Sequence, residues 1–477
     1  MQKIFTILLI VITVQVISSQ SLYTTKMDSL LLADSGYVPN QALVDSLNPR
    51  KPLWFPALEA IGLNLGLGAF NTYVAKSEFA KISFKTIKHN YETGWSTDAD
   101  ALITNMWAHP FHGSMYYNFA RSSGYNYWTS LGIAALGSWQ WEFHMENEPP
   151  ALNDWWMTSY GGSMLGEMFY RFSNLILDES TSGWQRFWHE LGAGVFNPAR
   201  LFNRLISGQA TRVTDAKLYE KQPLMGELAG GGNNVAEGVD FDNGKKNLMI
   251  TLDITYGKLF SPQTVDPFDF FRFYGAFNFG GEGEDKQPLF GQFRIYNNFY
   301  TETSSFNDGS KFLWGIFGHY DFLNNNVYEL GGVSAGLGIG YQTPGNKDYQ
   351  FIGMLHGAAL FMGAANSDYA PEYEISFLDS ARSYNMGPGA HTKVEAILRA
   401  PFGSLSVDYS WWWIHTWDGA PGDEFIVMIA PKLRVHVYGR WFVGLEYLFY
   451  HRAGKYDLFP DRDYRNNEQR LFVGYAF

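Results

Sequence analysis

The chain has 477 residues, a net charge of −12 at neutral pH, no cysteine, 49 glycines, and 17% aromatic residues against only 17% charged ones. The acidic balance argues against a nucleic-acid partner, and the missing cysteines exclude disulfides, thiolate metal sites and thiol catalysis. Soluble domains carry about 25% charged residues, so an aromatic-rich, glycine-rich and charge-poor chain has the composition of a membrane β-barrel.

Residues 1–19 read as a signal peptide. Lys3 supplies the positive start, Ile4 to Ile17 is almost unbroken apolar sequence, and Ser18-Ser19 offers a small-residue cleavage site. The apolar run is too short to span a bilayer and no basic stop-transfer block follows it. The protein is therefore expected to be exported to the outer membrane of a two-membrane bacterium. Residues 20–51 follow as a flexible N-terminal segment.

Residues 52–206 read as helical. Pro52 and Pro56 open a run through Ala75 with Gly62, Gly66 and Ala69 at helical spacing. Ser96-Thr97 is placed to cap a helix with Asp98 and Asp100 in its first turn, running to about Ala108. Pro110 suits the start of the next, to about Ser122. Tyr125–Phe143 and Asn153–Leu177 follow, then shorter candidates at Trp184–Leu191 and Pro198–Ile206. These helices are apolar nearly all round, yet Glu59, Asn64, Gln140 and Glu142 prevent a clean span. Such helices are buried in something: one another, the barrel interior, or the membrane surface. Gly62/Gly66 and Gly162/Gly166 favour close helix–helix contact.

The polar residues of interest lie inside this region. Asn105 and His109 are four apart, and His109 and His112 are three apart on one helical face. Glu142, Asp154 and a Gly162-Ser163 step leading to Gly166-Glu167 come later. Three chemistries fit. His109 and His112, with Glu142 or Asp100, have the donor types of a divalent-metal site. Ser114 or Ser163 with a histidine base has the parts of a hydrolase. Alternatively, His109 caps a helix junction while Asn105, Glu142 and Arg121 satisfy one another, as buried polar groups must. The spacing is neither His-Glu-xx-His nor Gly-x-Ser-x-Gly, so the third reading is the default.

The stretch Asn105, His109, Pro110, Gly113, Tyr116, Tyr117, Ala120 and Arg121 resembles a bacterial domain-of-unknown-function family of envelope proteins, with the motif Asn-xxx-His-Pro-xx-Gly-xx-Tyr-Tyr-xxx-Ala-Arg. The resemblance covers roughly residues 70–206. It implies an envelope protein and brings no activity; Asn105, Pro110, Gly113, Tyr117, Arg121, Asp154 and Glu167 are read as structural positions.

Residues 207–246 form a glycine-rich connector with room for one strand. From Asn247 to the end the chain repeats ten alternating residues and a turn. Leu248, Ile250, Leu252, Ile254 and Tyr256 share one face, while Asn247, Thr251, Asp253 and Thr255 share the other. The split recurs from Phe271, 290, 311, 327, 349, 389, Ser404, Glu424 and Arg440, and ends at Leu471, Val473, Tyr475 and Phe477. Polar faces carry Arg272, Arg294, Lys393, Glu395, Asp408, Arg434 and Glu446, as a wet lumen allows. Eleven segments are legible and bacterial barrels close on even numbers, so about 12 strands are expected, with 10 or 14 as alternatives. The terminal Phe477 resembles the signal read by barrel-assembly machinery. One strand, Tyr328–Tyr341, is nearly bare on its lumen face at Ser334, Gly336, Gly338 and Gly340, which fits a helix packed inside or general smallness.

The expected fold is thus an α+β membrane protein: an N-terminal helical region, then an antiparallel transmembrane β-barrel over 247–477. The expected role is a plug, small-solute conduit or envelope-structural protein, with lipid hydrolysis at the His109/His112 cluster as the alternative. Outer-membrane lipids are the expected partners, and no cofactor is expected.

Overall fold

The computed structural model describes residues 37–98, 100–238, 244–264, 266–280, 288–325, 327–345, 348–369 and 384–477. The signal peptide and the first part of the flexible segment lie outside these residues. The chain divides into two compact units, one running to Asp98 and from Ile103 to Gln222, the other holding Ala99–Leu102 and Pro223–Phe477.

The first unit is helical. Helix α1 (Gln41–Leu47) is capped by Asn40, whose side chain accepts from the Leu43 amide, and α2 spans Trp54–Phe70. Helix α3 (Phe84–Thr93) starts in a Ser83/Thr86 capping box and stops at Gly94, where φ is +73°. Ser96 does not cap a helix; it bridges to Ala151, its amide donating to the Pro150 carbonyl at 2.8 Å. Helix α4 (His109–Ser122) is entered through a π-helical turn, Thr104–Ala108. The boundary expected at Pro110 is therefore a wide turn within a continuing helix. Proline has no amide to donate and its ring crowds the preceding turn, which the wide turn accommodates.

Helix α5 (Tyr127–His144) is capped by Asn126. The single helix expected at Asn153–Leu177 is broken into α6 (Leu152–Trp156), a π turn (Met157–Gly161) and α7 (Gly162–Ile176). Helices α8 (Gly183–Phe196) and α9 (Pro198–Ile206) complete the unit. Helix α4 packs against α2, α5, α7 and α9. Its closest approach is at Gly113, where an added Cβ would sit 1.7 Å from the Thr158 carbonyl oxygen. Only a residue without a side chain lets these backbones meet.

The second unit is a closed antiparallel barrel of twelve strands, each paired with its neighbours in sequence. In chain order they are β1 (Leu224–Glu237), β2 (Lys245–Tyr256), β3 (Phe271–Phe279), β4 (Phe290–Ser305), β5 (Lys311–Asn324) and β6 (Glu329–Gln342). Then come β7 (Gln350–Asn366), β8 (Tyr384–Ala400), β9 (Gly403–His415), β10 (Gly422–Tyr438), β11 (Trp441–Tyr456) and β12 (Arg462–Ala476). The strand missing from the legible eleven is β1, whose Gly230, Gly231 and Gly232 blur the alternation. The barrel closes where β1 meets β12, from Glu227 opposite Ala476 to Glu237 opposite Asn466. Phe477 extends this seam by exchanging two backbone hydrogen bonds with Gly226.

Alternation now has a physical meaning. Leu337, Ile339 and Tyr341 point outward and exposed, as do Leu433 and Val435, Val443 and Leu445, and Leu471 and Val473. On β2 to β4 the equivalent Leu252, Ile254, Phe273, Phe293 and Ile295 are buried. An apolar exterior over a charged interior, with every strand paired, is the construction of a membrane-spanning barrel. The bare wall of β6 packs on side chains of its own unit. The space facing Gly338 and Gly340 is filled by Phe317, His356 and Met354 from the two neighbouring strands.

Candidate functional site

A polar cluster of the helical unit lies where the π turn leads into α4 and where α6 begins. His109 begins α4 and Asp154 lies in the first turn of α6; His109 Nε2 and Asp154 Oδ2 are 3.2 Å apart. Between them sits the Asn153 amide, donating to Asp98 Oδ1 at 2.6 Å, Asp154 Oδ1 at 2.8 Å and Asn105 Oδ1 at 2.9 Å. An amide has two hydrogens, so three acceptors converge on a donor that serves two. The ligand atoms of Asp98, His109 and Asp154 all lie within 4.8 Å of one another. Two carboxylates and an imidazole at this spacing match the donor types of a borderline divalent cation. Two π turns adjoin the cluster, one ending at Ala108 and the other starting at Met157. Such turns recur at functional sites because they shift one side chain out of helical register.

Of the other predicted site residues, His112, Glu142, Ser114 and Ser163 sit elsewhere. His112 packs on Tyr116 and Trp141, ring centroids 4.6 and 5.1 Å away, and burial pushes its pKa down to about 3. It is neutral at any physiological pH. Glu142 is buried and accepts from the Ala151 amide at 3.1 Å. Burial pushes nearby Glu146 up to about 7. Ser114 donates to the Phe111 carbonyl at 2.6 Å, and Ser163 bonds the Tyr160 carbonyl and the Tyr127 hydroxyl at 2.8 Å each. Each serine thus closes onto the turn before it. Asp100 belongs to the segment that groups with the strands, where its carbonyl accepts from the Tyr384 hydroxyl at 2.6 Å.

A second set of predicted residues forms a buried charge network. The Glu167 carboxylate accepts from Arg121 Nε and Arg171 Nε at 2.8 Å each and from the Tyr117 hydroxyl at 2.7 Å. Burial acts to raise its pKa, but the two guanidinium charges hold it below the usual carboxylate range. The sequence motif therefore divides by task. Asn105 and His109 serve the cluster, Tyr117 and Arg121 serve Glu167, and Gly113 serves the backbone contact.

The barrel lumen is the other polar region. Arg272 on β3 bonds Asp253 at 2.7 Å and also Glu395 on β8, five places away around the twelve-strand ring. Arg470 on β12 reaches Glu446 at 3.1 Å, Tyr274 on β3 at 3.2 Å and Gln292 on β4 at 3.4 Å. Asp321 holds Arg294 at 3.2 Å and Lys393 from β8. Tyr328, just ahead of β6, donates to Glu468 on β12 at 2.9 Å, six places away. Opposite walls are joined by these bonds. Among these side chains lies a cavity of about 100 Å³ lined by Arg272, Arg294, Lys393, Asp321, Glu395 and Asp408 among others. The sequence disclosed the lumen charges but not their pairing, which needs the strand register.

Residues 94–199, which hold both the cluster and the Glu167 network, match the family model described as Domain of unknown function (DUF3943). No curated protein matches the chain. Among solved structures, the outer membrane channel DcaP of Acinetobacter baumannii is 10% identical, covering 54% of this chain and 96% of its own, with a TM-score of 0.22. OmpT, an outer membrane protein of Vibrio cholerae, is 10% identical over 54% of this chain and 97% of its own, with a TM-score of 0.24. The Ralstonia pickettii toluene transporter TbuX is 8% identical over 54% and 89%, with a TM-score of 0.22. Likeness this low transfers neither a pore nor a solute.

Proposed function

We propose that the chain is an outer-membrane barrel sealed by its own lumen side chains, with the envelope-structural task of holding the helical unit at the membrane. One observation carries this reading: ion pairs and hydrogen bonds cross the lumen between strands four to six places apart, such as Arg272–Glu395 and Tyr328–Glu468. A diffusion pore keeps its charges on the wall and a free path between them. Export by the N-terminal signal, contact with outer-membrane lipids, and delivery of the β12 seam ending at Phe477 to assembly machinery belong to the same proposal.

The test is solute uptake into proteoliposomes. Wild-type protein is expected to admit no small sugar above the lipid background. Arg272→Ala with Glu395→Ala removes both members of the cross-lumen pair, leaving Asp253 without its arginine, and is expected to open a measurable leak. Wild-type uptake at the rate of the double variant would reject the proposal.

A second reading is favoured by the spacing of Asp98, His109 and Asp154. These three hold a divalent cation of zinc or manganese type, which ties the segment before α4 to α6. Binding to the folded state alone stabilises by about 2.7 kcal/mol at a hundredfold excess over Kd. Zinc or manganese is expected to raise the unfolding midpoint of the wild type and to leave Asp154→Ala unmoved. A wild type indifferent to both ions contradicts the reading.

A further inference from the structure

Three helices of the helical unit, α2, α8 and α9, turn polar side chains inward and apolar ones outward. On α8, Arg186 and Glu190 are buried, whereas Trp184, Phe187, Trp188 and Leu191, at i, i+3, i+4 and i+7, are between 38% and 74% exposed. On α9, Arg200, Asn203 and Arg204 are buried while Phe202, Leu205 and Ile206 are exposed. On α2, Asn64 is fully buried while Trp54, Leu58, Ile61 and Leu65 form an exposed stripe. Water-soluble helices turn the other face outward.

The buried polar faces bind one another. Arg204 on α9 pairs with Glu190 on α8 at 2.7 Å, and Asn203 on α9 donates to Glu59 on α2 at 3.2 Å. The three helices are therefore neighbours through their charged sides, and each turns aromatic and aliphatic side chains away. Monomeric soluble proteins rarely expose contiguous apolar area on this scale. Exposing it to water forfeits the burial of eleven large side chains, each worth about 1.5–3 kcal/mol when fully covered.

We infer that the outward faces of α2, α8 and α9 are lipid-contacting and seat the helical unit in the interfacial layer of the bilayer that its own barrel spans. The occupant is lipid because the barrel tethers this unit to a membrane; the inference rests on the membrane reading of the barrel. The faces are uncharged and rich in tryptophan and phenylalanine, the side chains that favour the boundary between headgroups and acyl chains. The helices lie along the surface and do not cross it. Among the described residues, no helix is long and apolar enough to span a membrane. Helix α8, with 14 residues, is about 21 Å long against a hydrocarbon core of about 30 Å.

The absence of cysteine makes the experiment direct. Single cysteines at Leu58, Trp188 and Leu205 in the full-length protein are labelled with an environment-sensitive fluorophore and reconstituted into phosphatidylcholine vesicles. Leu337→Cys on the outer barrel wall and Glu92→Cys on the exposed polar face of α3 serve as references. Nitroxide-labelled lipid is expected to quench Leu58→Cys, Trp188→Cys and Leu205→Cys as strongly as Leu337→Cys, and to spare Glu92→Cys. If Leu337→Cys is quenched and the helix positions are quenched only by aqueous iodide, the inference fails while the barrel reading stands. Helix positions shielded from both quenchers also overturn it, because a protein surface then covers them. If Leu337→Cys itself escapes the lipid quencher, the membrane reading fails first.

Discussion

Replacing Glu167 by alanine is expected to cost about 3–5 kcal/mol and to unfold the helical unit at physiological temperature. The carboxylate is fully buried between the guanidinium groups of Arg121 and Arg171 and takes a third bond from Tyr117. Without it, two cations on neighbouring helices face each other, Arg171 almost wholly buried and Arg121 largely so. That desolvation cost, not the lost attraction, sets the size of the effect. Arg171 keeps Glu220 as a second partner at 2.5 Å, so the heavier loss falls on Arg121. Thermal unfolding followed by tryptophan emission measures the loss. Glu92→Ala is the reference, since its exposed pair with Lys88 at 3.4 Å contributes less than about 1 kcal/mol. A Glu167→Ala protein as stable as Glu92→Ala would show that the network contributes nothing.

The second large effect has the opposite sign to helix propensity. Alanine is about 1 kcal/mol better than glycine inside a helix. At Gly113 the added methyl group would lie 1.7 Å from the Thr158 oxygen and 2.6 Å from its carbonyl carbon, both backbone atoms of the π turn. No rotamer relieves a clash with backbone, so α4 has to separate from the Met157–Gly161 turn. Gly113→Ala is expected to cost about 3 kcal/mol or more, at the upper end of overpacking penalties. Gly132→Ala on α5, where nothing lies within 4 Å, is expected to stabilise slightly. Paired midpoints for the two variants decide the matter: equal shifts would mean that the close approach is not held in solution.

The barrel was legible because its period is two and its faces differ in chemistry. Trp441, Val443 and Leu445 against Arg440, Gly444 and Glu446 needed no register to be read as a strand. Strand β1 escaped because glycine carries no side chain to alternate. The lumen pairs were out of reach for another reason: Arg272 and Glu395 are 123 residues apart and meet only once twelve strands have closed.

In the helical unit, the residue types of the site were visible and their partners were not. His109 belongs with Asp154 and Asp98, and neither His112 nor Glu142, which the spacing groups with it, is part of that cluster. His109 and His112 both lie on α4 beyond the π turn, and what parts them is the neighbours they meet, Asp154 for one and Tyr116 and Trp141 for the other. Glu167 and Arg121 are 46 positions apart on different helices, and their pairing follows from helix packing, which no local pattern encodes.

The central claim is that the lumen is closed by its own ion pairs. Wild-type protein is to be inserted in a planar bilayer at physiological salt and its conductance recorded beside Arg272→Ala/Glu395→Ala. A flat baseline is expected for the wild type and current steps for the variant. Steady, porin-like steps from the wild type would contradict it.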